Sequence, residues 1–565
     1  MSSRAGIILP KYSRPVARGC CQSNPWTRLR WASSSTRQWS TPLAKNLAEV
    51  ITVSDDSNTY KAFADVLLQT TGPISLAAYM RQCLTSTDGG YYTTSQKPGK
   101  DQFGQKGDFI TSPEISQIFG ELLGIWLVTE WMAQGRTSSG VEIIEVGPGR
   151  GTLMDDILRV WYENSRTFGR AVVLMRKQTV SNFKSLAGSI DSVYLVEASS
   201  ALRDQQKQIL CGDVPLEKTD IGFQSMSKHS KVPITWCEDI RFVPNDPSKT
   251  PFIFAHEFFD ALPIHAFQSV ASNPNEVSQT LETPTGPLPL SKPSPQSKTP
   301  QWRELVVTPT LPPSNITTTT TSSSTSKPHP DFQLSLAKAS TPPSLYLPIL
   351  SPRYKALLPS PGSTIEISPE SHSYATDFAR RIGGIPPSKP SSKPTTTTSP
   401  PNNPPPSPAS SPKPKPSGAA LIIDYGPATT IPTSTLRGIR SHKLVSPFSS
   451  PGLVDISADV DFTALAEAAL EASEGVEVHG PVEQGIWLER MGIRERGEML
   501  CRGLEKEKGG DGGGEGAEEA KKRVRGAIER LVEKGGGAMG KIYKVLAIVP
   551  ERGGKRPVGF GGGVM

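Results

Sequence analysis

Cysteine is scarce in this chain. The six present in 565 residues form no C-x-x-C pair and keep no regular spacing, which excludes a disulfide scaffold and gives no support to a zinc module. Their scarcity suits a reducing compartment, or one that does not demand disulfides. No run of about eighteen apolar residues occurs, so no transmembrane segment is expected. Apolar residues reach only 36%, while proline and glycine fill nearly a fifth of the chain. So much punctuation cannot all be packed core. Length alone, at about 150 residues per domain, suggests three or four domains; the composition reduces this to one or two domains with disordered insertions. The motif G-x-x-x-x-G-K-[ST] is missing as well, which excludes a nucleoside-triphosphate P-loop.

Acid is absent from residues 1–39, where Arg4, Lys11, Arg14, Arg18, Arg28, Arg30 and Arg37 stand; the first acid is Glu49. These seven account for the whole formal charge of +7. The remainder is neutral and has no global electrostatic case for binding nucleic acid. An Arg- and Ser-rich, acid-free N-terminus has the character of a mitochondrial transit peptide, with Arg37-Gln38-Trp39-Ser40 placing the cut after Trp39. Cys20 and Cys21 would leave with it. The competing reading is a disordered basic tail, since Pro10, Pro15 and Pro25 weaken an amphipathic helix.

Two segments, about 270–345 (in part) and 386–418, are dominated by Ser, Thr and Pro and are read as disordered insertions. Residues 509–516 form a glycine-rich loop and 551–565 a flexible tail. Between these breaks, short apolar runs alternate with helical stripes. Ile115, Ile118, Phe119, Leu122, Ile125 and Trp126 mark one helix beginning at Ser112-Pro113-Glu114. Strands are expected at Val141 to Val146, Val193 to Val196, Ile234 to Cys237, Phe252 to Ala255, Ala420 to Ile423 and Ile542 to Val549. Helices are expected around Leu153 to Trp161, Ala201 to Leu210, Asp461 to Ala472 and Glu518 to Val532. The alternation implies an α/β fold with a mostly parallel sheet covered on both faces, and a ligand beyond the carboxyl ends of the strands.

Four motifs carry chemistry. Glu145-Val146-Gly147-Pro148-Gly149-Arg150-Gly151-Thr152 lies where the first strand turns into a helix, and its alternate glycines let backbone pass close under a ligand. The acid at the strand end suits a cationic ligand such as the amino group of S-adenosylmethionine and not a pyrophosphate; a tight turn with no ligand is the bland alternative. Glu197 ends the second strand, placed to accept from both hydroxyls of a ribose or simply to stand at a helix N-terminus. Cys237-Glu238-Asp239-Ile240 follows the third strand, where adenine contacts are commonly made, with Asp239 and Ile240 as the candidate contacts. Glu257 and Asp260, three apart after the fourth strand, can hold a guanidinium, although Asp260 is equally suited to capping the next helix. His256 beside them reads as a core histidine.

These motifs, together with Gly107 to Gln117, Leu421-Ile422-Ile423-Asp424-Tyr425-Gly426 and Thr435-Leu436-Arg437-Gly438, occur in the order of one family. The chain resembles the MidA family of S-adenosylmethionine-dependent methyltransferases. The resemblance implies a class I, Rossmann-like methyltransferase domain over residues 58–550 with helical N-terminal additions, and S-adenosyl-L-methionine as cofactor. It also implies a mitochondrial matrix location and symmetric dimethylation of a protein arginine in a core subunit of respiratory complex I, with no metal. Carried over by motif, Glu145, Gly147, Gly149 and Gly151 hold the methionine end of the cofactor and Glu197 its ribose. Asp108, Thr111, Ser112 and Glu114 belong to a segment closing over the site, and Glu257 and Asp260 border the acceptor pocket. The chain departs from the family at His256, where asparagine is usual, and at Ser434-Thr435. Two rivals stand beside this reading: a non-catalytic S-adenosylmethionine-binding assembly chaperone, and a nicotinamide-dependent oxidoreductase, which Glu145 and the G-x-G-x-G spacing disfavour.

Overall fold

A strand covered on both faces needs apolar residues at consecutive positions, and successive side chains then serve opposite cores. Val141–Val146 (β1) is buried at every position. Val141 and Ile143 join one core with the helices Gln117–Ala133 and Thr152–Tyr162, while Ile144 and Val146 join another with Pro369–Gly383 and Phe462–Ala472. The structure, a computed structural model, describes residues 72–86, 89–93, 107–162, 183–271, 280–283, 286–289, 299–310, 330–385, 413–507, 514–535 and 537–561. The segment 1–39, read above as a transit peptide, and residues 386–412 of the second insertion lie outside the described residues.

Eight further strands complete the sheet: Ile190–Val196 (β2), Glu217–Thr219 (β3), Gly222–Met226 (β4), Pro233–Cys237 (β5), Thr250–His256 (β6), Ala419–Tyr425 (β7), Val476–Glu483 (β8) and Tyr543–Pro550 (β9). Their spatial order is β8-β9-β7-β6-β1-β2-β5-β4-β3. The run β7-β6-β1-β2-β5 is parallel, and β9 enters antiparallel between β7 and β8. The expected α/β fold with a mostly parallel, doubly covered sheet is therefore present. The chain leaves β1 toward β2 and later returns to β1's other edge with β6, which makes the carboxyl end of β1 the switch point where a crevice opens.

A second, antiparallel sheet was not legible in the sequence. His265–Val270 pairs with Gln301–Pro309 and Thr364–Ile367, and Gln301–Pro309 also pairs with Ile74–Ser75 and Phe332–Leu336. Leu76–Thr85 (α1) packs on it through Leu76, Tyr79 and Met80 against Val307 and Phe332. A small sheet of Arg437–Arg440, Lys443–Val445 and Asp455–Ser457 stands beside these elements.

Several expected boundaries are corrected. Within 270–345, Gln301–Pro309 and Phe332–Leu336 are strands, anchored by buried Trp302, Val307 and Phe332; a few well-spaced apolar residues suffice where the window's average is polar. At the end of 386–418, Lys413 Nζ donates to the carbonyls of Arg381 (2.6 Å) and Ser417 (3.1 Å), and Gly418 N to Gln134 Oε1 (2.7 Å). The helix Gly514–Val532 begins inside the glycine-rich 509–516. The tail from 551 is tied down as far as it is described. Arg552 pairs with buried Glu130 at 2.8 Å, and Phe560 is buried in the core that contains Trp487. The single helix expected from Ser112 is two, Ser112–Ile115 (α2) and Gln117–Ala133 (α3). Ser116 between them is extended and its Oγ accepts from Ile118 N at 3.3 Å, so a second N-cap interrupts an unbroken apolar stripe.

Candidate functional site

Glu145 near the end of β1, Glu197 after β2, Glu238 after β5, Glu257 after β6 and Tyr425 ending β7 all line one cavity of about 330 Å³. Tyr543, the first residue of antiparallel β9, reaches it from the same end of the sheet. Leu84, Tyr92, Ile439 and Asp455 bring walls from α1, the turn after it and the small sheet.

The glycine turn leads from β1 into the helix Thr152–Tyr162 (α4). Gly147 and Gly149 have φ of +65° and +53°, values that side chains resist, and a Cβ on Gly147 would lie 2.6 Å from Phe258 Cδ2. Gly147 N donates to the Val196 carbonyl at 3.1 Å, which joins the turn to β2. Gly147 and Gly149 are on the cavity wall; Gly151 is behind it, against Gln206. Glu145 is 2% exposed, and its Oε2 has no hydrogen-bond partner. Burial, and after it the charge of Glu197, pushes its carboxyl up to about 8. Glu197 accepts from Ser199 N (2.8 Å) and from Gln206 Nε2 (2.9 Å), and burial raises it to about 7. Gln206 also donates to the Gly149 carbonyl (2.6 Å) and accepts from Trp236 Nε1 (2.9 Å). One amide thus holds the turn, the second acid and β5 together. Arg150 is the one Lys or Arg on the wall among the described residues, and it pairs with Glu114 at 3.1 Å.

At the end of the adjacent strand β6, Glu257 has φ +48°, a strained value for a residue with a side chain. The turn is held by buried Asp424, whose Oδ2 accepts from the N–H groups of Phe258 (3.1 Å), Phe259 (2.9 Å) and Asp260 (3.3 Å) while Oδ1 accepts from Tyr425 N (2.8 Å). Glu257 Oε1 lies 3.4 Å from Ser112 N and 3.3 Å from His256 Nε2. Burial, then Asp260, holds the Glu257 carboxyl well above the usual range. His256 is pushed down to about 3 by burial; it is neutral, and its Nε2 makes no hydrogen bond, so it is not the satisfied core histidine expected. Tyr425 donates to Asp260 Oδ2, and Asp260 Oδ1 is without a partner. Tyr92 donates to Asp455 at 2.7 Å, and burial, then Asp260, raises Asp455 to about 7. Arg437 stacks on the Tyr425 ring at 4.5 Å and pairs with Asp459 at 2.7 Å.

Of the residues singled out in the sequence, Glu145, Gly147, Gly149, Glu197, Glu257, Asp260, Thr111 and Glu114 share this cavity. Ser112 points its main-chain N–H at Glu257 from behind the wall. Asp108 is also behind it, accepting from Tyr91 (2.8 Å) and Ser441 N (2.6 Å). Asp239 and Ile240 are not brought in. Asp239 caps a short turn and pairs with Arg241 at 2.8 Å, and Ile240 is buried in the core; Glu238 takes the place at the wall. Sequence reading overlooked Gln206, Tyr543, Tyr92 and Asp455, and it quoted Asp424 and Tyr425 within a family motif without giving them a role. For Asp424 and Tyr425 a signal existed, since they end a strand as Glu145 does.

An unpartnered acid and a pair of left-handed glycines face a second acid able to accept further bonds, a donor set that fits a ligand with an amino group and a ribose. The sequence model of the S-adenosyl-L-methionine-dependent methyltransferase family matches residues 122–482. The chain belongs to this family. S-adenosyl-L-methionine is its cofactor, and the unsatisfied Glu145 oxygen, the glycine turn and Glu197 suit it. Among curated relatives, the rat mitochondrial protein arginine methyltransferase NDUFAF7 is 33% identical over 77% of this chain and 74% of its own. The human protein of that name is 32% identical over 77% and 73%. A Burkholderia thailandensis superfamily member solved bound to S-adenosyl-homocysteine shares the methyltransferase fold at a TM-score of 0.54 and 17% identity, over 90% of this chain and 96% of that one.

Proposed function

We propose that this methyltransferase symmetrically dimethylates a protein arginine in a core subunit of respiratory complex I, in the mitochondrial matrix. The names of the relatives, mitochondrial protein arginine methyltransferases, and the MidA resemblance support this reading. The observation that carries it is the cluster of buried acids on the cavity wall: Glu257, Asp260 with its unpartnered Oδ1, and Asp455. Buried carboxylates gathered this closely are raised by one another and by desolvation, and a guanidinium relieves both effects through charge-assisted, bidentate hydrogen bonds.

When bound, S-adenosyl-L-methionine supplies an electrophilic methyl. Glu145 would hold its amino group and Glu197 its ribose, with the glycine turn admitting the backbone closely. Glu257 and Asp260 orient the guanidinium so that one nitrogen faces the methyl, and orientation supplies most of the rate gain. The φ of +48° at Glu257 is maintained by Asp424 through the following N–H groups, so Asp424 positions the clamp. Neutral His256 adds no competing charge. The arginine proton needs no dedicated base before transfer, because methylation makes the nitrogen a stronger acid. As the N–C bond forms and the S–C bond breaks, the released proton passes to Glu257 or Asp260, whose carboxyls burial disposes to take it up, with S-adenosyl-homocysteine as the other product.

Mass spectrometry of complex I core subunits incubated with S-adenosyl-L-methionine, with and without the protein, tests the proposal. Symmetric dimethylarginine is expected only with the protein. Methyl transfer to another residue type, or none, overturns the arginine assignment, and tight cofactor binding without transfer points to the assembly-chaperone alternative.

A further inference from the structure

The small sheet beside the cavity is built around the hairpin Arg437–Arg440 and Lys443–Val445, with Asp455–Ser457 on its other side. Its turn, Ser441-His442, has φ of +50° and +59°, the two-residue geometry that fixes hairpin register. Asp108 pins that turn in place. Its Oδ1 accepts from Ser441 N at 2.6 Å and its carbonyl from His442 N at 3.0 Å.

The register places Leu444 opposite Ile439, and Ile439 opposite Asp455. Residues directly opposite one another point to the same face, so the three side chains form one row across the sheet. Asp455 and Ile439 line the cavity. Leu444 is 75% exposed, the most exposed large apolar side chain among the described residues. The row therefore runs from a buried carboxylate, along a cavity wall, to an apolar residue in solvent. Lys443–Val445 is also an edge strand, since its only ladder among the described residues is to Arg437–Arg440. In antiparallel pairing the backbone groups of one residue point to one side, alternating along the strand. Arg440 and Lys443 flank the two-residue turn and form the hydrogen-bonded pair, so Ile439 and Leu444 turn their N–H and C=O away from each other. Those of Leu444 lie on the free edge.

We propose that this edge docks the segment of the protein substrate that flanks the acceptor arginine. The segment adds as an extended strand to Lys443–Val445, with an apolar side chain against Leu444, and the chain running on from that strand turns over Ile439 and carries the acceptor arginine toward the carboxylates of Asp455 and Asp260. Charge complementarity between those acids and a guanidinium selects the occupant, and the row connects the edge to them. Strand addition supplies affinity through main-chain bonds and specificity through the neighbouring side-chain contact. The inference rests on the arginine-methylation reading and adds where the substrate chain lies.

The test uses the full-length chain, separately expressed unmethylated complex I core subunits and S-adenosyl-L-methionine. Leu444→Ala removes the apolar contact and Leu444→Pro also removes the outward N–H, which the hairpin does not use. We expect KM for the protein substrate to rise about tenfold in the first and further in the second, about 1.4 kcal/mol for the tenfold step, with kcat and cofactor affinity within twofold of the unaltered chain. Hydrogen exchange, which needs no turnover, is expected to show the Leu444 amide protected when subunit and S-adenosyl-homocysteine are added together. Unchanged KM in both variants, or no protection at Leu444, overturns the docking proposal. A shift in oligomeric state with unchanged KM overturns it too and identifies a second copy of this chain as the occupant. If methyl transfer falls on a residue other than arginine while the Leu444 variants still raise KM, the arginine reading fails and the docking edge stands.

Discussion

Glu145, the glycine turn and Glu197, proposed to hold the cofactor, come from two adjacent parallel strands and the turns that end them, cross-tied by Gln206. The proposed acceptor pocket draws Tyr92, Glu257, Asp260, Tyr425, Asp455 and Tyr543 from most of the chain's length. Polarity differs as well: the first set has one acid with both oxygens engaged and one with a free oxygen, while the second packs three acids and their tyrosines into one buried cluster. A short local motif can build a site for a small ligand whose shape does not vary. A pocket for a side chain arriving on another protein requires walls from several elements, and each wall adds a desolvated acid that ligand binding must relieve.

The sharpest way to break this comparison is Gly149→Val. A β-branched side chain at φ +53° meets backbone resistance and ligand space together, so S-adenosyl-L-methionine affinity should fall more than about a hundredfold by calorimetry. Retained affinity would mean that the turn is not the cofactor's seat. Glu257→Gln should do the reverse, leaving cofactor affinity intact while lowering methyl transfer roughly ten- to a hundredfold, the worth of a charge-assisted hydrogen bond of about 1.5 to 3 kcal/mol. Single-turnover assays with arginine-bearing subunit decide it; full activity would remove Glu257 from the clamp.

Proton linkage offers a gentler probe. Glu145, Glu197 and Asp455 have folded-state values of about 8, 7 and 7, above ordinary values of 4.5, 4.5 and 3.8. The folded protein then binds more protons than the unfolded chain between these limits, and stability declines as pH rises from about 5 to 8. Cofactor affinity should move the opposite way, improving about tenfold between pH 6 and 7.5 as Glu145 becomes able to ionise against a cation. Thermal melts and titrations at matched ionic strength read both slopes, and Glu145→Gln should flatten the affinity slope. The smallest effect is expected at Asp239→Ala, within about twofold of unaltered cofactor affinity, because Asp239 engages Arg241 away from the cavity.

Most of the parallel sheet could be read directly from the chain. Val141–Val146 is apolar at four of six positions and flanked by a glycine turn, and Phe462–Ala472 announces itself with Asp461 as N-cap, accepting from Ala464 N at 3.1 Å. The antiparallel sheet stayed hidden because its strands sit among proline- and serine-rich stretches, and a composition average cannot register that Trp302 or Phe332 finds a partner far along the chain. The site divides in the same way. Glu145 and Glu197 carry local warrants, strand then acid then turn, whereas Tyr92 and Asp455 meet only because α1 and the small sheet fold over the crevice. Glu238 and Asp239 show the remaining limit: next to a strand end, one residue's difference decides which carboxylate lines the cavity.

Gln206 has one further consequence. Its amide touches the Gly149 carbonyl, the Glu197 carboxylate and the indole N–H of Trp236, so the ring is coupled to the glycine turn through a single side chain. Indole emission responds to the polarity of whatever its N–H meets, and this N–H meets an amide whose other partners, the glycine turn and Glu197, are the proposed cofactor seat. Trp236 emission is therefore expected to change on cofactor loading, and Trp236→Phe to abolish that change, with no dye attached.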